Sequence, residues 1–170
     1  MNLTGLVRLF QYKPLFTFQR GFSAECPWIS LALGIRRRAR EFALQVLYQI
    51  DVTHREVGEA LSLFWDNFAS DEESRDFCEG LVRGVIDHCD ELDRLIKTHA
   101  EHWKLSRMTW IDRNILRIAV YEFLYLQDIP PKVTMNEAVE IGKRFGSEES
   151  GAFINGVLDA ISHDLSAAID

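Results

Sequence analysis

Residues Trp110 to Leu126 are apolar nearly all round when wound into a helix. A helix without a solvent face has to be enclosed by others, so this segment predicts a buried central rod and an all-α fold around it. Thr109 is placed to cap its start. Asp128-Ile129-Pro130-Pro131 ends it, because the residue before a proline avoids the helical region. Glu122 falls on the same face as Ile115, Ile118 and Ala119. A carboxylate buried there needs partners, most simply the backbone N–H groups of a neighbouring helix start.

The segments on either side carry the surrounding helices. Phe42, Ala43, Val46, Leu47 and Ile50 recur at helical spacing and predict a first helix over residues 36–50. A second covers residues 56–68, with Leu61, Phe64, Trp65 and Phe68 on one face. Ser70 and Asp71, followed by Glu72 and Glu73, form a cap with first-turn acids and open a third helix over 71–99. Gly80 and Gly84 within it mark either close packing or a break. A helix over 134–145 stops at Gly146, and Ser147, Glu148, Glu149 and Ser150 open the last, with Phe153, Ile154, Val157, Leu158 and Ile161 inward. No alternating strand pattern and no glycine-rich phosphate loop occurs, so six or seven helices account for the chain.

The net charge of −7 is unevenly spread. Residues 41–170 carry 12 Lys+Arg against 25 Asp+Glu, whereas residues 36–40 hold four arginines. An acidic body with one basic patch does not suit bulk binding to duplex DNA. It suits a short anionic ligand, with a separate acidic surface for a basic protein. Cys26, Cys78 and Cys89 are scattered and odd in number, which excludes a disulfide framework and fits a reducing cytosol. No apolar run is long enough to span a membrane. His99 and His102 are three apart, but no third ligand follows by spacing, and no nucleophile motif is present, so neither a metal, a cofactor nor catalysis is expected. Residues 1–34 are acid-poor, show no sustained period and are interrupted by Pro14 and Pro27. They read as a flexible extension, a targeting peptide, or translated upstream sequence with initiation near Leu31 or Leu33. The last is favoured because the organised pattern begins abruptly at Ile35.

Arg36, Arg37, Arg38 and Arg40 are expected at or just before the N-terminus of the first helix, the end that disfavours cations. Stability alone would not place four arginines there; an anionic partner would. The alternative is a solvated basic start to a surface helix.

The run from Arg36 to Tyr48, with Glu41, Ala43, Gln45 and Leu47 between, resembles the start of the NusB family of bacterial transcription antitermination factors. The run from Ile115 to Glu122 is similar to the central helix of that family. Asn136 to Gly146, followed by Phe153 to Asp159, resembles its C-terminal signature. The three blocks keep the order and spacing of the family and together span residues 35–162; residues 1–34 match nothing in it. The resemblance implies two small helical bundles packed across each other, the first three helices against the remainder. It further implies binding of the single-stranded boxA element of ribosomal RNA leaders, in a heterodimer with the ribosomal protein NusE that acts on RNA polymerase, and a free form that is a monomer or homodimer.

Single-stranded RNA readers need cations for phosphates and flat groups for unstacked bases. Under the resemblance Arg36, Arg37, Arg38 and Arg40 supply the cations. Tyr48 supplies a hydroxyl or a ring, or is a core tyrosine. Phe153 is the RNA-contacting aromatic, although its spacing alone reads as core. Glu149 and Ser150 lie where base N–H groups would be accepted, or simply cap a helix. Asp112 falls in the region used for NusE, or is a favourable first-turn acid. Lys143 and Arg144 extend the basic surface or complement a helix C-terminus, and Asn136 and Asn155 are expected to satisfy backbone groups between helices. Two rivals stand beside this reading. NusB-like domains precede the catalytic domain of ribosomal RNA cytosine methyltransferases, but no cofactor-binding α/β region or catalytic cysteine context is seen here. A structural homodimer that masks its arginines is the other.

Overall fold

The computed structural model describes residues 27–67, 72–100 and 108–167, with side chains at 34–66, 72–100 and 108–167. Seven helices occupy them: α1 Pro27–Thr53, α2 Val57–Asn67, α3 Glu72–Asp87, α4 Cys89–His99, α5 Trp110–Tyr125, α6 Pro131–Phe145 and α7 Ser150–Ala167. Phe68, the Ser70–Asp71 cap, His102 and most of the 1–34 extension lie outside the described residues. None of the helices is long and apolar enough to cross a membrane.

The helix α5 is the central rod. Ile115, Leu116, Ile118, Ala119 and Val120 are all buried, and α1, α3, α4, α6 and α7 pack against it. Its start is a capping box: the Asp112 N–H donates to Thr109 Oγ1 at 3.1 Å, and the Asp112 carboxylate accepts the Thr109 N–H at 3.3 Å. The rod is not covered to its ends. Trp110 is 48% exposed and Tyr125 40%, where a fully enclosed segment was expected.

Two helix boundaries differ from the sequence expectation. The arginine-bearing helix begins at Pro27 rather than near Arg36. The arginines thus lie about two and a half turns inside it, beyond the reach of the N-terminal dipole. The predicted third helix is broken at His88, whose carbonyl accepts the N–H groups of both Glu91 and Leu92 as the chain restarts. The break hands α4 to the second bundle, where it packs on α5 and α7. The first bundle is therefore α1–α3 and the second α4–α7. Gly84 marks close packing rather than the break: a Cβ there would stand 2.1 Å from Tyr121 Cζ.

The first bundle closes on an aromatic cluster in which Phe42, Phe64 and Trp65 meet edge to face at 5.0–5.8 Å. In the second, Ile154, Val157, Leu158 and Ile161 of α7 are fully buried. Gly142 lets α6 approach α7 closely, since a Cβ would meet the Ile154 side chain at 2.5 Å.

Candidate nucleic-acid interface

The four arginines of α1 part company according to helical phase. Arg40 shares the buried stripe of Ala43, Leu44 and Leu47 and is itself 2% exposed. Its guanidinium forks onto Glu122 of α5, Nε to Oε1 at 2.6 Å and Nη2 to Oε2 at 2.9 Å. Thr134 Oγ1, in the first turn of α6, donates to the same carboxylate at 2.6 Å. Glu122 thus takes side-chain donors from α1 and α6 rather than the backbone donors expected. Arg40 joins the two bundles and is not available to a ligand in solvent, which corrects its placement among RNA contacts.

Arg36, Arg37 and Arg38 reach the surface. Arg36 Nη2 donates to Asp128 Oδ2 at 3.0 Å, and its guanidinium lies 5.3 Å from the centre of the Phe77 ring. Arg37 forks onto Glu137 of α6 at 2.7 and 2.6 Å. That hydrogen bond raises the Arg37 pKa above its ordinary value, against the opposing effect of partial burial. One turn on, Glu41 of α1 accepts from Arg144 Nη1 of α6 at 2.5 Å. Burial pushes the Glu41 carboxyl up, and the charge and hydrogen bond of Arg144 offset that only in part. Acidic and basic side chains therefore alternate along the α1–α6 seam. Tyr48 follows on the same helical face as Arg37 and Glu41 and is half-buried.

The seam continues onto α7. The stem of Lys143 lies over Gly151, where a Cβ would meet its Cγ at 2.9 Å. Beside it, Ser150 is buried, and its Oγ accepts the Ser147 N–H at 2.8 Å. This is a helix-start bond, so Ser150 holds the turn and offers little to a ligand. Glu149 is exposed in that turn. Phe153 is half-buried against the core, which leaves part of its ring at the surface. Arg36, Arg37, Arg38 and Tyr48 thus lie on α1, Glu149 just before α7 and Phe153 in its first turns; α6 links the two, paired to α1 through Arg37–Glu137 and Arg144–Glu41 and packed on α7.

Asp112 lies elsewhere and is 3% exposed, with its Oδ2 taken by Thr109 in the cap of α5. Asn136 and Asn155 are exposed instead of set between helices. His99 is bonded to the Leu95 carbonyl at 2.8 Å and to Asp164 at 2.9 Å. No cluster of three potential metal ligands occurs among the described residues. Glu41, Glu137 and Asp128 were missed as members of the site. Glu41 carried one signal, an acid four residues after Arg37; Asp128 and Glu137 lie 92 and 100 residues from their arginines, and nothing local says which helix faces which.

A family model described as the NusB family matches residues 37–163. This chain belongs to the NusB family. It is 54% identical over 129 residues to the transcription antitermination protein NusB of Desulfatibacillum aliphaticivorans, covering 76% of this chain and 90% of that protein. To the NusB of Anaeromyxobacter dehalogenans it is 52% identical over 134 residues, covering 78% and 94%. Among solved structures, T. maritima NusB superposes with a TM-score of 0.69 at 37% identity, covering 76% of this chain and 91% of that one. A structure of the antitermination factors NusB and NusE in complex with dsRNA gives 0.69 at 28% identity, covering 77% and 98%.

Proposed function

We propose that this protein is a transcription antitermination factor that acts in the cytoplasm without catalysis, binding the single-stranded boxA element of ribosomal RNA leaders together with the ribosomal protein NusE. The observation that carries the reading is the adjoining surface of α1, α6 and α7. α1 carries the guanidinium groups of Arg36, Arg37 and Arg38, α6 is tied to it through Arg37 and Glu137, and α7, packed on α6, carries the half-buried aromatic Phe153. Guanidinium forks suit phosphates, and a flat ring suits an unstacked base. The relatives named as antitermination proteins, and the related NusB solved with NusE and RNA, support the same assignment.

Arg36, Arg37, Arg38, Tyr48, Glu149 and Phe153 are the RNA-facing residues in this proposal; Arg40 and Ser150 hold the surface in place. The free protein is a monomer or a homodimer. The test is binding of a boxA-like single-stranded RNA, with and without NusE, across a salt series. Tighter binding with NusE and a slope of about 0.7 per phosphate contact in the log–log plot are expected. Reversal of Arg37 and Arg38 to Glu should weaken binding at least about tenfold at low salt and leave helicity unchanged. Equal affinity for a scrambled RNA, or no effect of the double reversal, would overturn the assignment. A homodimer that never releases its arginines would favour a structural role instead.

A further inference from the structure

The arginines of the α1–α6 seam are not simply presented to solvent. Glu137 takes two donors from Arg37, at 2.7 and 2.6 Å, and Glu41 takes one from Arg144, at 2.5 Å. The burial within each pair is lopsided. The Arg37 side chain is 51% exposed while Glu137 is 9%; Arg144 is 45% exposed while Glu41 is 13%. Each cation can therefore be reached from outside, while its counter-ion is fixed beneath it on the protein.

A guanidinium has five N–H donors, so neither arginine is exhausted by its carboxylate. A phosphate approaching from solvent nevertheless meets a carboxylate already drawn to the same charge. It either shares the guanidinium at the cost of repulsion between two anions, or takes it over and leaves a largely buried carboxylate without its partner. Either course weakens binding relative to an unopposed arginine. The sequence alone hid this, because Arg144 lies more than a hundred residues from Glu41 in the chain.

We propose that the α1–α6 seam is a counter-ion exchange surface, in which Glu137 and Glu41 compete with RNA phosphates for Arg37 and Arg144, and in which Arg144 is a phosphate contact on α6. The carboxylates hold down affinity for any polyanion, so that RNA has to be gripped at several points at once to displace them. Isolated phosphates and short non-specific strands gain too little to do so. This rests on the RNA-binding assignment above and adds to it a residue from a second helix and a pair of opposing charges.

The experiment measures binding of the boxA-like RNA and of a scrambled RNA by fluorescence anisotropy, using the full chain and the variants E41Q, E137Q, R144Q and E41Q/R144Q. Circular dichroism and Tm report whether each is folded. E41Q and E137Q should each bind about two- to fivefold more tightly at low salt, with a larger gain for the scrambled RNA. R144Q should bind more weakly, with the log–log salt slope reduced by about 0.7. E41Q should have no effect in the R144Q background, because its competition acts through that arginine. A general repulsion between Glu41 and RNA would persist there and would overturn the exchange. Unchanged or weakened binding by folded E41Q and E137Q would overturn it as well, and would make the carboxylates supports that aim the arginines. Failure of the wild type to prefer the boxA-like RNA, with the variant ratios as expected, would remove the assignment of the RNA while leaving the exchange. Absence of RNA binding in every protein would remove both.

Discussion

Arg37 and Arg40 are three residues apart and opposite in fate. Arg37 stands half in solvent on Glu137, whereas Arg40 is 3% exposed in its side chain and lies on a Glu122 that is fully buried. Loss of a pair whose cation stands half in solvent costs less than loss of a wholly buried one, since water reaches the charge left behind. Loss of one partner of a buried pair leaves the other charge stranded, at about 3–5 kcal/mol. Arg40→Met should therefore lower the unfolding free energy by about that amount in urea denaturation, and Arg37→Ala by less. A smaller loss for Arg40→Met than for Arg37→Ala would refute the division between them. The sequence did contain the distinction. Arg40, Ala43, Leu44 and Leu47 keep the i, i+3, i+4, i+7 spacing of a buried face. Four arginines in five positions drew attention to their sum rather than to their phase. The same is true of Ser150, whose position three after Ser147 is the spacing of a helix-start bond.

Among the elements, the helical segments were legible and their ends less so, and α3 and α4 read as a single helix. The start of α6 at Pro131 lay inside a run read as a terminator, because proline ends one helix and is well placed in the first turn of the next. The break at His88 has neither proline nor an inward kink residue to announce it; only Asp90 and Glu91, as first-turn acids, signal the restart. That break sends α4 across α7, and a histidine ties the two together. His99 Nδ1 faces the Leu95 carbonyl and Nε2 faces the Asp164 carboxylate, and both partners only accept hydrogen bonds. The doubly protonated ring alone satisfies both.

Partial burial would lower the His99 pKa, but these two acceptors more than offset it and raise it; the same contact lowers that of Asp164. The histidine contribution is complete below about pH 6.5 and is lost as pH rises through the higher folded value. The aspartate contribution is present above about pH 3.9 and is lost as pH falls through the lower folded value. The difference in Tm between wild type and His99→Gln should accordingly be greatest between about pH 4 and 6.5 and should shrink towards about pH 9. A difference that grows with rising pH would show that the ring is held neutral.

At the scale of the whole molecule, an apolar rod shared by two bundles predicts that they meet but not how they are registered. Apolar packing tolerates sliding and exchange of similar side chains. The registration here is carried by two arginines on opposite sides of the junction. Arg40 reaches from α1 to α5. Arg117, 5% exposed, reaches from α5 to Asp93 of α4 through bonds of 2.7 Å from Nε and from Nη2, and its Nη1 lies 3.4 Å from Asp51 near the end of α1. Asn114 completes the group by donating to Asp51 at 2.8 Å and accepting from Arg117 at 3.0 Å. Burial by itself would lower the pKa of Arg117, but its bond to Asp93 and the surrounding acids raise it well above the ordinary arginine value.

This arrangement also accounts for part of the acidic body: Asp51 and Glu122 answer arginines inside the fold, and Asp93 answers Arg117 from its rim. One planar fork bridging two carboxylates is a task a lysine cannot take over, since an ammonium offers a point charge without paired donors. Arg117→Met should leave two acids facing each other without a cation and lower stability by about 3 kcal/mol. Arg117→Lys should recover only part of that, and the loss in both should appear as earlier unfolding in urea. If Arg117→Lys is as stable as the wild type, a single buried positive charge suffices, and the fork is not what sets the register of α1 and α4 on the central rod.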